Sequence, residues 1–525
     1  KRSSAASDVY KRQVQVSPST PTRIMESPLR VDSDDDVGEA PCDTGDSFRV
    51  DSDDDGDDNI VDHHISSSSE DEKSAKRARI APVNRAGPSN IGVMSHCNWC
   101  VRQLQDEGLM DRVFSTLRKL SQPTRCGSLC SGIDTGIYCL LSLQHAFGAA
   151  GFQVDFEHTF SCDLDETIRQ KLVQAYPGMR NLFQDVMDVA TGTAFCEKLQ
   201  HAVVVPSVDI LIVGFPCVDL SSLSNRGVSF DDLDSSSGGC YRAVLKYITK
   251  HKPSLIILEN VLAVFHRKRN ALKPCVAQII DDMRSNGYVG GVQKVNAFDF
   301  GLPQRRHRAY MLFSRLGAST VPASPWFVPD ANAIRILQNL ERFKCDATPL
   351  AYFLTDACAD DKYFQNKPVH EDTPAKMSEW VKKANLLEAD IVALETSPSF
   401  LPTVRSHRVR WLIAFHLLRL KKAGIDATSV PIVLQVDQRA DRVPCVNAGP
   451  PAVPCVTTKG VYYVTSLKKF LSGEELLQVQ GLSLQDQVKL GLCGMGHSLQ
   501  THLAGNAFSS SVFTSAFLAL LLSVS

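Results

Sequence analysis

Three short strings in this chain carry residues able to do covalent chemistry. Cys217 follows Gly214-Phe215-Pro216 at the end of the β-rich run Asp209–Val213 and opens the serine-rich segment Val218–Gly227. A cysteine at a strand end entering a loop is placed to be exposed and mobile, and a thiolate there is a nucleophile. The alternative is a small core residue, the usual fate of a cysteine. Glu259-Asn260-Val261 closes the next apolar run, Leu255–Leu258, so a carboxyl falls beside the thiol at the same sheet edge. Gln304-Arg305-Arg306-His307-Arg308 stands just before the β-like run Tyr310–Phe313. An arginine in that position stabilises a thiolate or an anionic intermediate.

A second set of residues suits a nucleoside-containing ligand. In Ser128-Leu129-Cys130-Ser131-Gly132-Ile133-Asp134-Thr135-Gly136, glycine follows a strand and a helix then opens. Such a turn lets the backbone approach a ligand and offers free N–H groups to an anion. The next strand, Phe156–Cys162, ends in Asp163, the usual kind of grip on a ribose diol. Asp185 follows the run Asn181–Gln184. Helix caps and turn residues are the plainer account of the same three positions.

These residues need a scaffold that brings strand ends together. Arg125–Cys130, Phe156–Cys162, Asp209–Val213 and Leu255–Leu258 read as short strands, with helical spacing over Ile137–Phe147 and Gly239–His251. That alternation predicts an α/β fold, a mostly parallel sheet covered on both faces, with ligands beyond the carboxyl ends of its strands. Phe513–Val524 is too short to span a bilayer and reads as a terminal core helix.

Charge is unevenly distributed. Residues 1–90 hold 19 Asp and Glu against 12 Lys and Arg, and the remainder holds 39 against 44. Residues 1–92, rich in Asp, Ser, Pro and Gly, form a disordered acidic tail on this reading. The tail carries the string Arg-Val-Asp-Ser-Asp-Asp-Asp twice, an acidic serine run at 66–72 and a basic cluster, Lys73–Arg79, of nuclear-import type. Its opening, Lys1-Arg2-Ser3-Ser4, has neither initiator Met nor signal pattern and reads as a truncation or an assembly remnant. Sixteen cysteines without regular spacing point to free thiols in a reducing compartment. The lone Cys97-x-x-Cys100 pair lacks the second ligand pair of a zinc site, and no metal site is expected.

Taken in order, the strings resemble the cytosine-5 DNA methyltransferase family. Cys217 sits in its Pro-Cys motif, Glu259 in Glu-Asn-Val, Arg306 and Arg308 in Gln-x-Arg-x-Arg, and Gly505-Asn506-Ala507-Phe508 in its C-terminal Gly-Asn motif. The likeness covers about residues 125–315 and 440–522. Ser128–Gly136 and Pro216–Ser221 are similar to the de novo branch of eukaryotic enzymes, and Gln304–Arg308 to the maintenance and bacterial branches. Cys130 departs from the family's usual Phe, Val218 and Leu220 from its Gln and Phe, and Asp163 from its commoner Glu.

The resemblance implies a Rossmann-like, S-adenosylmethionine-dependent methyltransferase fold with a smaller target-recognition domain and the acidic tail. It implies methyl transfer to carbon 5 of a flipped-out cytosine through a covalent bond from Cys217 to C6. Glu259 would hold the ring at N3, Arg308 its O2 side, and Arg306 would support Arg308. Ser131, Gly132, Ile133, Asp163, Asp185, Val186, Asn506, Ala507 and Phe508 would contact S-adenosylmethionine. Ser221, Asn225, Arg226, Arg405, Arg408 and Arg410 are candidate DNA contacts, the last three on a helical-looking stretch whose solvated-face reading stands equally. The expected organisation is a tail (1–92), a helical lead-in (93–122), a catalytic domain (123–317), a target-recognition region (318–440) and a return to the catalytic domain (441–525). Double-stranded DNA is the expected partner, with chromatin proteins meeting the tail, no membrane, and a nuclear location. A transfer-RNA methyltransferase and a non-catalytic chromatin-binding relative remain as alternatives.

Overall fold

Continuous apolar runs became strands buried on both sides, as a covered sheet requires. The computed structural model describes residues 86–216, 236–266, 273–316, 331–355, 374–397, 400–401, 404, 406–440 and 451–524. Cys217, Ser221, Asn225, Arg226, Arg405 and the tail through residue 85 lie outside them. The strands that position the site are β1 (Thr124–Leu129), β2 (Phe156–Cys162), β3 (Asn181–Phe183), β4 (Thr193–Cys196), β5 (His201–Val204), β6 (Ile210–Val213), β7 (Leu255–Asn260), β8 (Val289–Asn296) and β9 (His307–Ser314). They form a nine-stranded sheet in the order β5-β4-β3-β2-β1-β6-β7-β9-β8.

Only the centre of that sheet is parallel. β3, β2, β1, β6 and β7 pair in parallel, whereas β4 and β5 on one flank and β9 and β8 on the other pair antiparallel. The expectation of a mostly parallel sheet is corrected to a mixed one. β4 to β5 and β8 to β9 are joined by short connections, and a parallel pair needs a crossover of a dozen or more residues.

Alternate residues of the central strands enter two cores. Ile210, Ile212, Leu255 and Ile257 face one side; Leu211, Val213, Ile256 and Leu258 face the other. The first side is covered by the helices Val93–Asp106, Met110–Leu117, Thr135–Ala149 and Ser510–Ser523. Every residue of Ser510–Ser523 is buried, so the terminal apolar run is a core helix, each buried Leu contributing about 2 kcal/mol. The lead-in is tied into it: Thr116 Oγ1 donates to Leu521 O at 3.0 Å and Val524 O at 3.1 Å. Cys97 and Cys100 are buried in this layer, with Cys100 Sγ 3.4 Å from His96 Nε2, and burial pulls His96 down to about 4.

The helix Ala331–Glu341 lies in the span assigned to target recognition, yet its Ile336 and Leu340 belong to the first core. A smaller unit comprises the helices Pro374–Lys383, Glu388–Glu395 and His407–Lys422 with the three-stranded sheet β10 (Val433–Gln435), β11 (Tyr462–Val464) and β12 (Lys469–Phe470); it has apolar clusters of its own, while Val433, Tyr462 and Val464 pack into the first core. Two of its arginines, both candidate DNA contacts, are bonded within it. Arg408 is buried and donates to Val436 O at 3.1 Å and Gln438 O at 2.9 Å. Arg410 donates to Val404 O and lies 3.4 Å from the buried Glu395 carboxylate. Both are built into the unit, because carbonyls without helix partners must find donors somewhere.

Candidate active site

The register of the parallel strands sets three candidate residues in one row. Leu129 pairs with Val213, and Val213 with Leu258, so Cys130, Gly214 and Glu259 follow at the same level. The C-terminal motif reaches this row: a Cβ on Gly214 would lie 3.2 Å from Phe508 Cζ and 3.4 Å from Cys130 O. Asn260 Nδ2 donates to Phe215 O at 3.1 Å, which ties the Glu-Asn pair to the turn leading into Cys217.

Glu259 and Arg308 meet across the β7–β9 edge. Glu259 lies opposite Tyr310 in the antiparallel register, and Arg308 stands two residues before it. Arg308 Nε is 3.1 Å from Glu259 Oε1, close enough for an ion pair. That oxygen is nevertheless buried without a hydrogen-bond partner, because the N–H does not point along the line. Val295, Arg306, Tyr310, Ser509 and Val512 close around the pair so tightly that no water-sized space is left between them. A part-buried carboxyl whose ion-paired oxygen still lacks a hydrogen bond is suited to holding a polar ligand group.

Arg306 has a different task. It is buried, and its guanidinium donates to Val456 O at 2.8 Å, Gly505 O at 3.0 Å and Ala507 O at 3.2 Å. With these donors on backbone carbonyls, it ties down the Gly-Asn segment. Gln304, wholly buried, joins the same construction: Nε2 donates to Val479 O at 3.2 Å and Oε1 accepts from Val456 N at 3.4 Å.

The cofactor-side candidates form a second group around the end of β1. Cys130, Gly132 and Asp134 all take positive φ, of 53°, 53° and 57°. The loop is held by Ser131, whose N and Oγ both reach Cys162 O, at 3.0 and 3.1 Å, and by Tyr176 OH, which donates to Asp134 O at 2.9 Å. Gly132 N donates to Asp163 Oδ2 at 2.8 Å, so this N–H organises the loop and is not free for an anion. Burial pushes the Asp163 carboxyl up to about 6, against the pull of its two backbone hydrogen bonds. Asp185 accepts from Met187 N at 2.8 Å as the N-cap of the helix Val186–Thr191. Ile133, Val186 and Ala507 are buried, and Asn506 Nδ2 lies 3.1 Å from His502 Nε2.

The profile of the family described as C-5 cytosine-specific DNA methylase matches residues 125–409. The chain belongs to that family. Among relatives of the methylase, the DNA (cytosine-5-)-methyltransferase DMT5 of Cryptococcus neoformans is 26% identical over 430 residues, covering 78% of this chain and 17% of that protein. The type II methyltransferase M.NgoFVII of Neisseria gonorrhoeae is 30% identical over 211 residues, covering 40% of this chain and 48% of that one. A solved structure of S. pombe Dnmt2 methyltransferase aligns at a TM-score of 0.41 and 12% identity, over 76% of this chain and 98% of that one. The chain thus spans under a fifth of the length of its DMT5 relatives.

The structure brings Glu259, Arg306 and Arg308 into one pocket and sets Ser131, Gly132 and Asp163 on one loop system near Asn506: a Cβ on Gly132 would lie 3.7 Å from Asn506 O. Arg408 and Arg410 are built into the smaller unit, outside both groups. Sequence reasoning missed Tyr310, Cys455 and Cys240. Tyr310 was signalled by its register beside Glu259, whereas the other two are seen only in space, Cys240 Sγ lying 3.4 Å from Cys130 Sγ.

Proposed function

We propose that this methylase transfers a methyl group from S-adenosylmethionine to carbon 5 of a cytosine flipped out of duplex DNA. The observation that carries the reading is the Glu259 carboxyl, part-buried and ion-paired with Arg308 through an oxygen that accepts no hydrogen bond, at the strand edge from which the Phe215–Pro216 turn leads to Cys217.

The residues present fit the methyl donor. Gly132 and Gly214 leave room that a Cβ would take up against Asn506 and Phe508. Asp163 offers carboxylate oxygens to a ribose diol. Leu164 and Met187, 61% and 49% exposed beside the two strand-end acids, offer apolar surface to a purine. Bound there, S-adenosylmethionine supplies an electrophilic methyl sulfonium.

Cytosine C5 is too poor a nucleophile to take that methyl unaided. Addition of the Cys217 thiolate to C6 converts the ring to an enamine, nucleophilic at C5. Glu259 holds N3 and the exocyclic amine and shares its proton with N3 as negative charge develops. Arg308 meets the O2 side. Loss of the C5 proton then breaks the bond to sulfur and restores the thiolate. Flipping the base out of the duplex costs a few kcal/mol, which contacts inside the pocket offset.

The basic cluster Lys73–Arg79 supports a nuclear location, and the acidic tail around it supports contact with basic chromatin proteins. The smaller unit from Pro374 to Phe470 supports a role in target recognition. The decisive test is transfer of labelled methyl groups to duplex DNA and to RNA, beside Cys217→Ala. Label on DNA that is lost in the variant is the expected result. Label on RNA alone favours the transfer-RNA reading; label on neither, with the cofactor bound, favours a non-catalytic binder.

A further inference from the structure

We infer that Cys455 is a positioning residue of the base pocket: its sulfur holds the Arg308 guanidinium side-on to Glu259. Among the described residues, three contacts help to orient that guanidinium. Nη1 donates to His307 O at 2.7 Å, Nη2 donates to Cys455 Sγ at 3.5 Å, and Nε lies 3.1 Å from Glu259 Oε1. The same sulfur is 3.8 Å from Arg306 Nη1, so one thiol stands between both arginines of the motif.

The sulfur is held where it is by its own backbone. Val453 N donates to Pro303 O at 2.7 Å, and Arg305 N donates to Val453 O at 2.9 Å. Tyr462 OH donates to Cys455 O at 2.9 Å. The segment Val453–Cys455 is thereby fastened along Pro303–Arg305, beside the arginines of the motif.

The chemistry follows from what Arg308 would do otherwise. A guanidinium beside a carboxylate tends toward the bidentate pair, with two parallel N–H···O bonds. That pair would commit both oxygens of Glu259 and keep them from a base. By accepting from Nη2, the thiol turns the fork away, so that Nε alone faces Glu259 and Oε1 stays without a hydrogen bond.

The inference rests on Glu259 and Arg308 being the base-holding pair, and the test separates the two. Cys455→Val is close in size and removes the acceptor, whereas Cys455→Ser keeps one. In the full chain, the valine variant is expected to lose about tenfold in kcat for methyl transfer to duplex DNA with KM for S-adenosylmethionine unchanged, and serine to restore most of it. A valine variant with wild-type kcat, or equal losses in both variants with equal falls in Tm, overturns the positioning role while the proposed function stands. If the wild type transfers no methyl to DNA, the function reading falls, and a double-mutant cycle of unfolding in urea decides the positioning. Non-additivity of Cys455→Val with Glu259→Gln supports it, and strict additivity overturns it.

Discussion

The Asn260 side-chain amide donates to Phe215 O at 3.1 Å and its carbonyl accepts from Val261 N at 2.8 Å, so one side chain shapes both the Glu-Asn turn and the approach to Cys217. Because Asn260 is buried, Asn260→Ala leaves Phe215 O without this donor. The cost to stability is about 1–3 kcal/mol. Methyl transfer is expected to fall further than that loss of folded protein explains, since the nucleophile's approach is no longer fixed. Activity per folded molecule, measured beside urea unfolding, separates the two effects.

Asp163 predicts an acid-side loss of cofactor affinity. Burial raises its folded pKa from 3.8 to about 6, so the carboxylate that would accept ribose hydroxyls is lost as pH falls through 6. Affinity for S-adenosylmethionine is expected to weaken between pH 7 and pH 5 by calorimetry, and Asp163→Asn to flatten that dependence. Stability of the cofactor-free protein moves the other way. A raised carboxyl binds its proton more tightly when folded, so its penalty is present above the folded pKa and is relieved as pH falls from about 7 toward 4. Cofactor affinity that is constant over this range would remove Asp163 from the binding site.

Arg306→Ala strips donors from Val456 O, Gly505 O and Ala507 O. Leaving several carbonyls without their charged partner is expected to destabilise the methylase by about 3 kcal/mol or more. Arg306→Lys recovers only part, since an ammonium cannot reproduce the planar fork. Thermal unfolding reads the ranking wild type, Lys, Ala. A wild-type Tm for Arg306→Ala would contradict the clamp.

Arg408→Ala distinguishes a buried tie from a phosphate contact. A phosphate contact would lower the slope of log affinity against log salt by about 1. The structure instead predicts an unchanged salt slope for duplex DNA and a lower unfolding midpoint, because Val436 O and Gln438 O lose their donor. A reduced slope at unchanged stability would return Arg408 to the DNA-facing surface.

The sequence disclosed most of what lies along single strands. β2 falls on the expected Phe156–Cys162, and β1 differs from expectation by a residue at either end. Continuous apolar runs bounded by turns leave few other conformations. Strand direction at the sheet flanks was less legible, because it depends on connection length and pairing partner. Burial of Arg408 in His407–Lys422 was equally hidden, since a guanidinium satisfying distant carbonyls has the same local pattern as one facing water. Cys455 lay in plain view among sixteen cysteines. Only the fastening of its segment onto Pro303–Arg306 marks it out.

The bonds from Thr116 to Leu521 O and Val524 O span 405 and 408 residues, and those from Arg306 to Gly505 O and Ala507 O span 199 and 201. Contacts of such separation form late, after the loops between them have been closed. On a ribosome, the sheet's central strands are made long before the helix Ser510–Ser523 that covers them. A nascent chain therefore has no assembled Gly-Asn wall until the helix Ser510–Ser523 has emerged to cover the sheet.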